Sequence, residues 1–99
     1  LKGLLNDYIL GDLAFVLIKS YTGDLNYTKI IGVFSTFELA NKHLIQLYNE
    51  ELDICSNGTW LQGIKYDEST NTYKFFGDDA DILELKIEAY SINSYLHLH

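Results

Sequence analysis

The strongest constraint on the fold of this 99-residue chain is a run of six apolar residues at positions 13–18. No polar residue interrupts the run, so a strand formed there would be apolar on both faces. Such a strand belongs inside a sheet, either covered on both faces or covered on one face and paired at an interface. The run is far shorter than the ~18 apolar residues that span a membrane. The sequence therefore predicts an internal strand at this position.

A second β-rich run, at residues 29–34, leads directly into the clearest helix-start signal of the chain. Gly32 within this run suggests a bulge or a close backbone approach. Ser35 and Glu38 have the spacing of a capping box, which predicts Ser35 as the N-cap. The helix is expected to end near Glu50, and its apolar stripe predicts a buried face formed by Phe37, Ala40, Leu44, Leu47 and Tyr48.

The second half of the chain shows the two-residue periodicity of strands. Alternation begins at Trp60 and continues to Tyr66, and a polar hairpin loop separates this strand from the next one, at residues 73–76. The clearest alternation lies at residues 82–90, where Leu83, Leu85, Ile87 and Ala89 face one way and Glu84, Lys86 and Glu88 face the other.

Two further segments are less regular. Residues 19–28 are polar and are expected to connect the first two strands. Residues 1–12 fit a short helical turn, and residues 91–99 are expected to extend an edge or to fray.

These elements predict an α+β fold in a single domain covering residues 1–99. The order is β-β-α-β-β-β, with an antiparallel or mixed sheet of about five strands and one main helix packed on one face. One helix cannot cover both faces of such a sheet. The other face is therefore expected to be exposed to solvent or covered by a partner.

The charge composition argues against two classes of function. The formal net charge is −7, and all seven basic residues are lysines. Arginine is the usual residue for bidentate contacts to phosphate and guanine, so its absence argues against direct nucleic-acid binding. The negative field also disfavours binding to an anionic membrane. With a single cysteine and no visible signal peptide, we expect the protein in a host cytoplasm or a virion.

No constellation of residues predicts catalysis. Cys55 and His43 are too few for a zinc site and too weak a basis for a Cys–His nucleophile. Asp78, Asp79 and Asp81 offer oxygen ligands but lack the EF-hand pattern. Phosphate-binding and nucleophile-elbow motifs are absent from the sequence. We therefore expect no catalytic residue, no metal and no cofactor, and we predict that the protein is not an enzyme.

Protein binding is the remaining prediction. Residues 67–88 hold seven acids and two lysines, a local balance of −5. An acidic face could meet a basic partner, or it could simply be a solvated surface. Trp60 is either a core anchor beside Gly63 or an interface anchor, because Trp and Tyr are enriched at binding hot spots. The candidate partner-binding residues are Asp78, Asp79, Asp81, Glu84, Glu88, Trp60, Tyr66 and Tyr73.

The junction between the second strand and the helix carries a resemblance. The shared features are an apolar strand, the acidic loop at Gly23–Asp24, the sequence K-I-I-G-V-F-S-T at residues 29–36 and Ala40 in the helix. In these features, this part of the chain resembles a family of small phage and bacterial domains, with related domains in large DNA viruses. The resemblance covers residues 14–47, about a third of the chain. It implies a strand-to-helix junction but no activity, because that family has none assigned.

Three functions follow as hypotheses. The first is a non-catalytic accessory protein of a phage, virus or mobile element that binds another protein, in one version as a stoichiometric inhibitor of a basic, nucleic-acid-binding partner. The second is a minor structural subunit of a larger assembly, and self-association fits this version. A small enzyme is the third and the least supported by the residues.

Overall fold

The computed structural model describes residues 13–57 and 60–91. In chain order they form β1 (Leu13–Thr22), β2 (Tyr27–Phe34), α1 (Phe37–Ser56), β3 (Gly63–Asp67), β4 (Thr72–Phe76), a 3₁₀ turn (Asp78–Ala80) and β5 (Ile82–Ser91). The predicted α+β class and the order β-β-α-β-β-β are confirmed. The predicted helical turn at residues 1–12 and the tail at residues 92–99 lie outside the described residues.

The sheet has the strand order β2-β1-β5-β4-β3, and every neighbouring pair is antiparallel. β1 pairs with β5 along its whole length, from Leu13 opposite Ser91 to Thr22 opposite Ile82. The apolar run at the start of β1 therefore lies inside the sheet, as predicted. Leu17 and Ile18 point to opposite faces, and only 0% and 7% of their surfaces are exposed.

α1 lies on one face of the sheet, which we call the helix face; the opposite face is the far face. The predicted stripe is confirmed, since Ala40 and Leu44 are buried and Phe37, Leu47 and Tyr48 pack on the same core. The largest fully buried side chains are Phe75, Leu17, Leu44 and Leu85. The core thus lies between α1 and the helix faces of β1, β4 and β5.

α1 is longer than predicted, because it ends at Ser56 and not near Glu50. The stripe continues beyond Tyr48 with Glu51, Leu52 and Cys55, at the three- and four-residue spacing of a helix face. Leu52 and Cys55 pack against the core, which holds the last turns on the sheet.

The predicted N-cap was wrong by one residue. Thr36 is the N-cap, with extended backbone angles, and its Oγ1 accepts a hydrogen bond from the backbone N–H of Leu39 at 3.1 Å. Ser35 lies in the bend between β2 and α1, because the chain needs two residues to turn from the strand into the helix. Glu38 consequently falls at the second helical position, which removes the predicted capping box.

The connection between β1 and β2 is shorter than predicted. Both strands extend into the segment at residues 19–28, and only residues 23–26 separate them. The rings of Tyr21 and Tyr27 stack across the two strands at a centroid distance of 5.8 Å, and this cross-strand pair supports the extension. The predicted bulge near Gly32 is confirmed, because the register shifts from Leu17 opposite Gly32 to Ile18 opposite Ile30.

Trp60 precedes a strand instead of starting one, since β3 begins at Gly63. Its predicted neighbour was also wrong: the indole lies against Gly77, where a Cβ would overlap the ring, and a Cβ at Gly63 would meet nothing within 4 Å. Trp60 does pack on the core as a partly buried residue. On β5, Leu83, Leu85 and Ile87 are buried as predicted, whereas Ala89 is exposed.

The N-cap assignment generates a stability prediction. Thr36→Ala should lower the free energy of unfolding by about 1 kcal/mol, because the N–H of Leu39 loses its side-chain acceptor. Ser35→Ala is the matched control and should change the free energy by less than half of that. Urea denaturation of both variants measures the difference, and a larger loss for Ser35→Ala would contradict the assignment.

Candidate functional site

The acidic residues at the start of β5 belong to a tight turn. Asp79 and Ala80 both have positive φ, 54° and 65°, which is uncommon outside glycine. Two bonds hold this backbone: Gly77 N–H donates to the carbonyl of Asp81 at 2.8 Å, and the Asp81 N–H donates to the carbonyl of Asp78 at 3.0 Å. The Gln62 side-chain amide also donates to the Asp78 carboxylate. At least Asp78 therefore already serves the turn itself.

Glu84 and Glu88 share the far face, as predicted, but lysines accompany them. Lys86 lies 3.5 Å from Glu84 and 3.7 Å from Glu88, and Lys74 on β4 lies 3.8 Å from Glu84. The Tyr90 hydroxyl donates to Glu88 at 2.8 Å, and this bond to a carboxylate raises the pKa of Tyr90. The far face therefore carries an alternating ladder of charges rather than a row of free carboxylates.

The predicted tyrosines lie on the opposite side of the sheet. Tyr66 and Tyr73 are paired across β3 and β4 with ring centroids 4.5 Å apart, and Tyr48 of α1 lies 4.5 Å from Tyr73. Burial, with the neighbouring tyrosines, raises the pKa of Tyr73. Because these rings lie on the helix face, Tyr66 and Tyr73 do not share a surface with Glu84 and Glu88.

A pair of charges that the sequence analysis missed lies under α1. Lys19 of β1 and Glu51 of α1 form an ion pair, and only 7% of the surface of Glu51 is exposed. Burial alone would lower the pKa of Lys19, but the hydrogen bond and the charge of Glu51 outweigh it and raise this pKa. One signal was present in the sequence: Glu51 continues the apolar stripe of α1, and Lys19 continues the inward positions of β1.

The ion pair borders a cavity of about 290 Å³ between the C-terminal half of α1 and β1, which we call the α1–β1 pocket. Most of its walls are apolar or aromatic. Burial, followed by an interaction with Asp81, raises the pKa of Tyr21. The lining residues are Lys19, Tyr21, Tyr27, Glu51, Ile54, Cys55, Trp60 and Leu83.

Cys55 has the wrong environment for a nucleophile. Burial and then the nearby Glu51 carboxylate raise the pKa of its thiol, whereas a reactive cysteine needs a lowered pKa. His43 lies twelve residues earlier on α1, roughly 18 Å away at 1.5 Å per residue, and stacks on Phe34 at 4.7 Å. In residues 13–57 and 60–91, no group of three His, Cys, Asp or Glu side chains is placed to hold a metal ion.

β2 forms an apolar edge of the sheet. Within the described residues it pairs only with β1, so no described strand occupies its other side. Ile30 and Val33 are 64% and 59% exposed, and Ile31 at the bulge is 39% exposed. We call this strand, with these three side chains, the β2 edge.

No protein-family model matches this chain, and no curated protein or solved structure shows significant similarity to it. Among the helical residues that the structure describes, none form a helix long and apolar enough to cross a membrane.

The environment of Cys55 generates a prediction about its reactivity. Because only the thiolate reacts, the rate of alkylation by iodoacetamide should rise with pH around a midpoint above that of an ordinary cysteine in the folded protein. In guanidinium chloride the midpoint should fall, since unfolding removes both the burial and Glu51. A folded midpoint at or below the unfolded one, measured by mass spectrometry, would contradict this assignment.

Proposed function

We propose that this chain is a non-catalytic protein-binding domain whose partner adds an extended segment to the β2 edge. The observation that carries the proposal is an eight-residue edge strand with exposed Ile30 and Val33. An added strand obtains affinity from backbone hydrogen bonds and specificity from alternate side chains. An exposed, apolar edge of this length is otherwise an aggregation hazard that proteins avoid.

The other edge of the sheet supports the proposal by contrast. β3 has five residues, and both Lys65 and Asp67 lie within it. Short length and charge are the usual protections of an edge strand. β2 is longer and carries Lys29 as its single charged residue. The two edges therefore differ as expected if β3 is protected against the addition of another strand and β2 is used for it.

The register defines the partner's chemistry. Val33 lies opposite Val16, and Ile30 lies opposite Ile18, so the far face has an apolar strip across β1 and β2. A partner segment that extends this strip needs apolar side chains at alternate positions. Lys29 favours a carboxylate near its own position on the partner. We therefore propose an extended, apolar segment with an acidic residue as the occupant.

The acidic-face version, an inhibitor that offers Asp78, Asp79, Asp81 and Glu84 to a basic partner, has less support. Glu84 is held between Lys74 and Lys86, and Asp78 accepts a bond from Gln62. A structural subunit of an assembly could use the β2 edge in the same way, with a permanent partner in place of a transient one.

A displayed library of random peptides, each slightly longer than β2, tests the proposal on the intact chain. Peptides selected on the wild type should show apolar alternation. Their affinity should fall by about tenfold or more for Ile30→Lys/Val33→Lys, since two buried contacts are replaced by charges. Leu39→Lys/Ile45→Lys is the matched control, because it adds the same charge at exposed apolar sites of α1.

Three outcomes decide between the versions. Loss of binding in the β2 variant alone, with new protection of β2 amides from hydrogen exchange, supports strand addition. Unchanged binding by the β2 variant excludes it. Selection of basic peptides that are lost with Asp78→Asn, Asp79→Asn, Asp81→Asn and Glu84→Gln would favour the acidic face instead. Sedimentation of the chain alone detects pairing of β2 with a second copy.

A further inference from the structure

We infer that the α1–β1 pocket is a binding site for a small, neutral, flat molecule that carries a carboxamide-like group, held against the Tyr21, Tyr27 and Trp60 side chains with its amide on the Lys19–Glu51 pair. This inference does not depend on strand addition at β2. It assigns a separate site, and a partner at the β2 edge is not needed for it.

The buried ion pair places polar groups at one end of an otherwise apolar pocket. Glu51 lies at a position of the α1 stripe where a leucine would pack without desolvating a charge. Replacing a buried ion pair with apolar residues is often neutral or stabilising, so such a pair contributes little to stability. Charged groups buried at the side of an apolar cavity are typical of ligand sites.

The walls define the shape of the ligand. Tyr21 and Tyr27 stack on each other, with ring centroids 5.8 Å apart and an angle of 12° between the rings, and this aromatic pair lines the cavity together with Trp60. Its volume of about 290 Å³ lies at the lower limit of small-molecule sites, roughly 300–1,000 Å³. A molecule of one or two rings fits both the size and the surfaces.

The two charges define the polarity of the ligand. A cation would meet Lys19, and an anion would meet Glu51, so each charge of the pair disfavours its own sign. A neutral amide satisfies both, because its carbonyl oxygen accepts from Lys19 Nζ and its N–H donates to the Glu51 carboxylate. An ammonium has three donors and a carboxylate about four acceptor positions, so the amide binds without breaking the ion pair.

Three probes of equal size test this polarity: benzamide, benzoate and benzylamine. Trp60 is the single tryptophan, so its indole N–H gives one NMR signal at the wall of the pocket. Benzamide should shift this signal saturably and bind about tenfold more tightly than either charged probe, which would bring an unmatched charge to the pair. No saturable shift with benzamide, or equal binding of all three probes, would overturn the inference.

A matched pair of variants tests the location. Ile54 lines the pocket and is 66% exposed, whereas Ile45 is 46% exposed on the same helix and does not line it. Ile54→Phe should abolish benzamide binding by placing a larger side chain in the wall of the pocket, and Ile45→Phe should leave it unchanged. Both positions are exposed, so both variants should fold. Retained binding in Ile54→Phe, or equal loss in both variants, would overturn the assignment.

Glu51→Gln tests the role of the ion pair. The variant leaves Lys19 without its counter-charge, so the preference should change from benzamide to benzoate. A variant that folds by circular dichroism and keeps the benzamide preference would contradict the role of the charges. If Glu51→Gln does not fold, the probe series on the wild type and the Ile54→Phe comparison still decide the inference.

Discussion

The pairing of β1 with β5 is the interaction on which the rest of the fold depends. It joins the first and the last described strands over ten residues, and every other strand is added outward from it, β2 on one side and β4 with β3 on the other. α1 packs across the same two strands through Leu17, Leu85 and Ile87. Because the two strands are far apart in sequence, their pairing closes a long loop, and the entropy cost of such non-local pairing slows folding.

The central pair explains why periodicity predicted the architecture. A strand inside a sheet with both faces covered is apolar at every position, as at residues 13–18. The neighbouring strand at residues 82–90 alternates between apolar and charged residues, because its far face is charged. The predictions that failed concerned boundaries. Ser35 and Thr36 are both good N-caps, and only the path from β2 into α1 decides between them. Tyr21 and Tyr27 extend β1 and β2 because they stack on each other, a contact that neither position reveals alone.

The functional predictions from the sequence were based on the number of charged residues, whereas the positions of those charges depend on strand pairing and on the packing of α1. Counting charges suggested an acidic face at residues 67–88, but the register places Lys74 directly opposite Glu84, and Lys86 lies between Glu84 and Glu88 on the same face. The Lys19–Glu51 ion pair was missed for the same reason. Lys19 and Glu51 are 32 residues apart, so no local motif connects them, and only the position of α1 on the sheet brings them together.

The same ion pair also fixes how α1 lies on the sheet. The last turns of α1 pack through Leu52 and Cys55, which are only partly buried, whereas Ala40 and Leu44 are fully buried. An apolar contact tolerates sliding and rotation, whereas Lys19 donates to the Glu51 carboxylate only where Glu51 faces β1. A buried ion pair therefore adds orientation more than stability, a role attested for polar groups in some cores. In this chain, Ile54 and Cys55 of α1 line the same pocket as Leu83 of β5 and the tyrosines of β1 and β2. The charge pair and the cavity are thus one structural feature, because the contact that orients α1 also forms the polar end of the pocket.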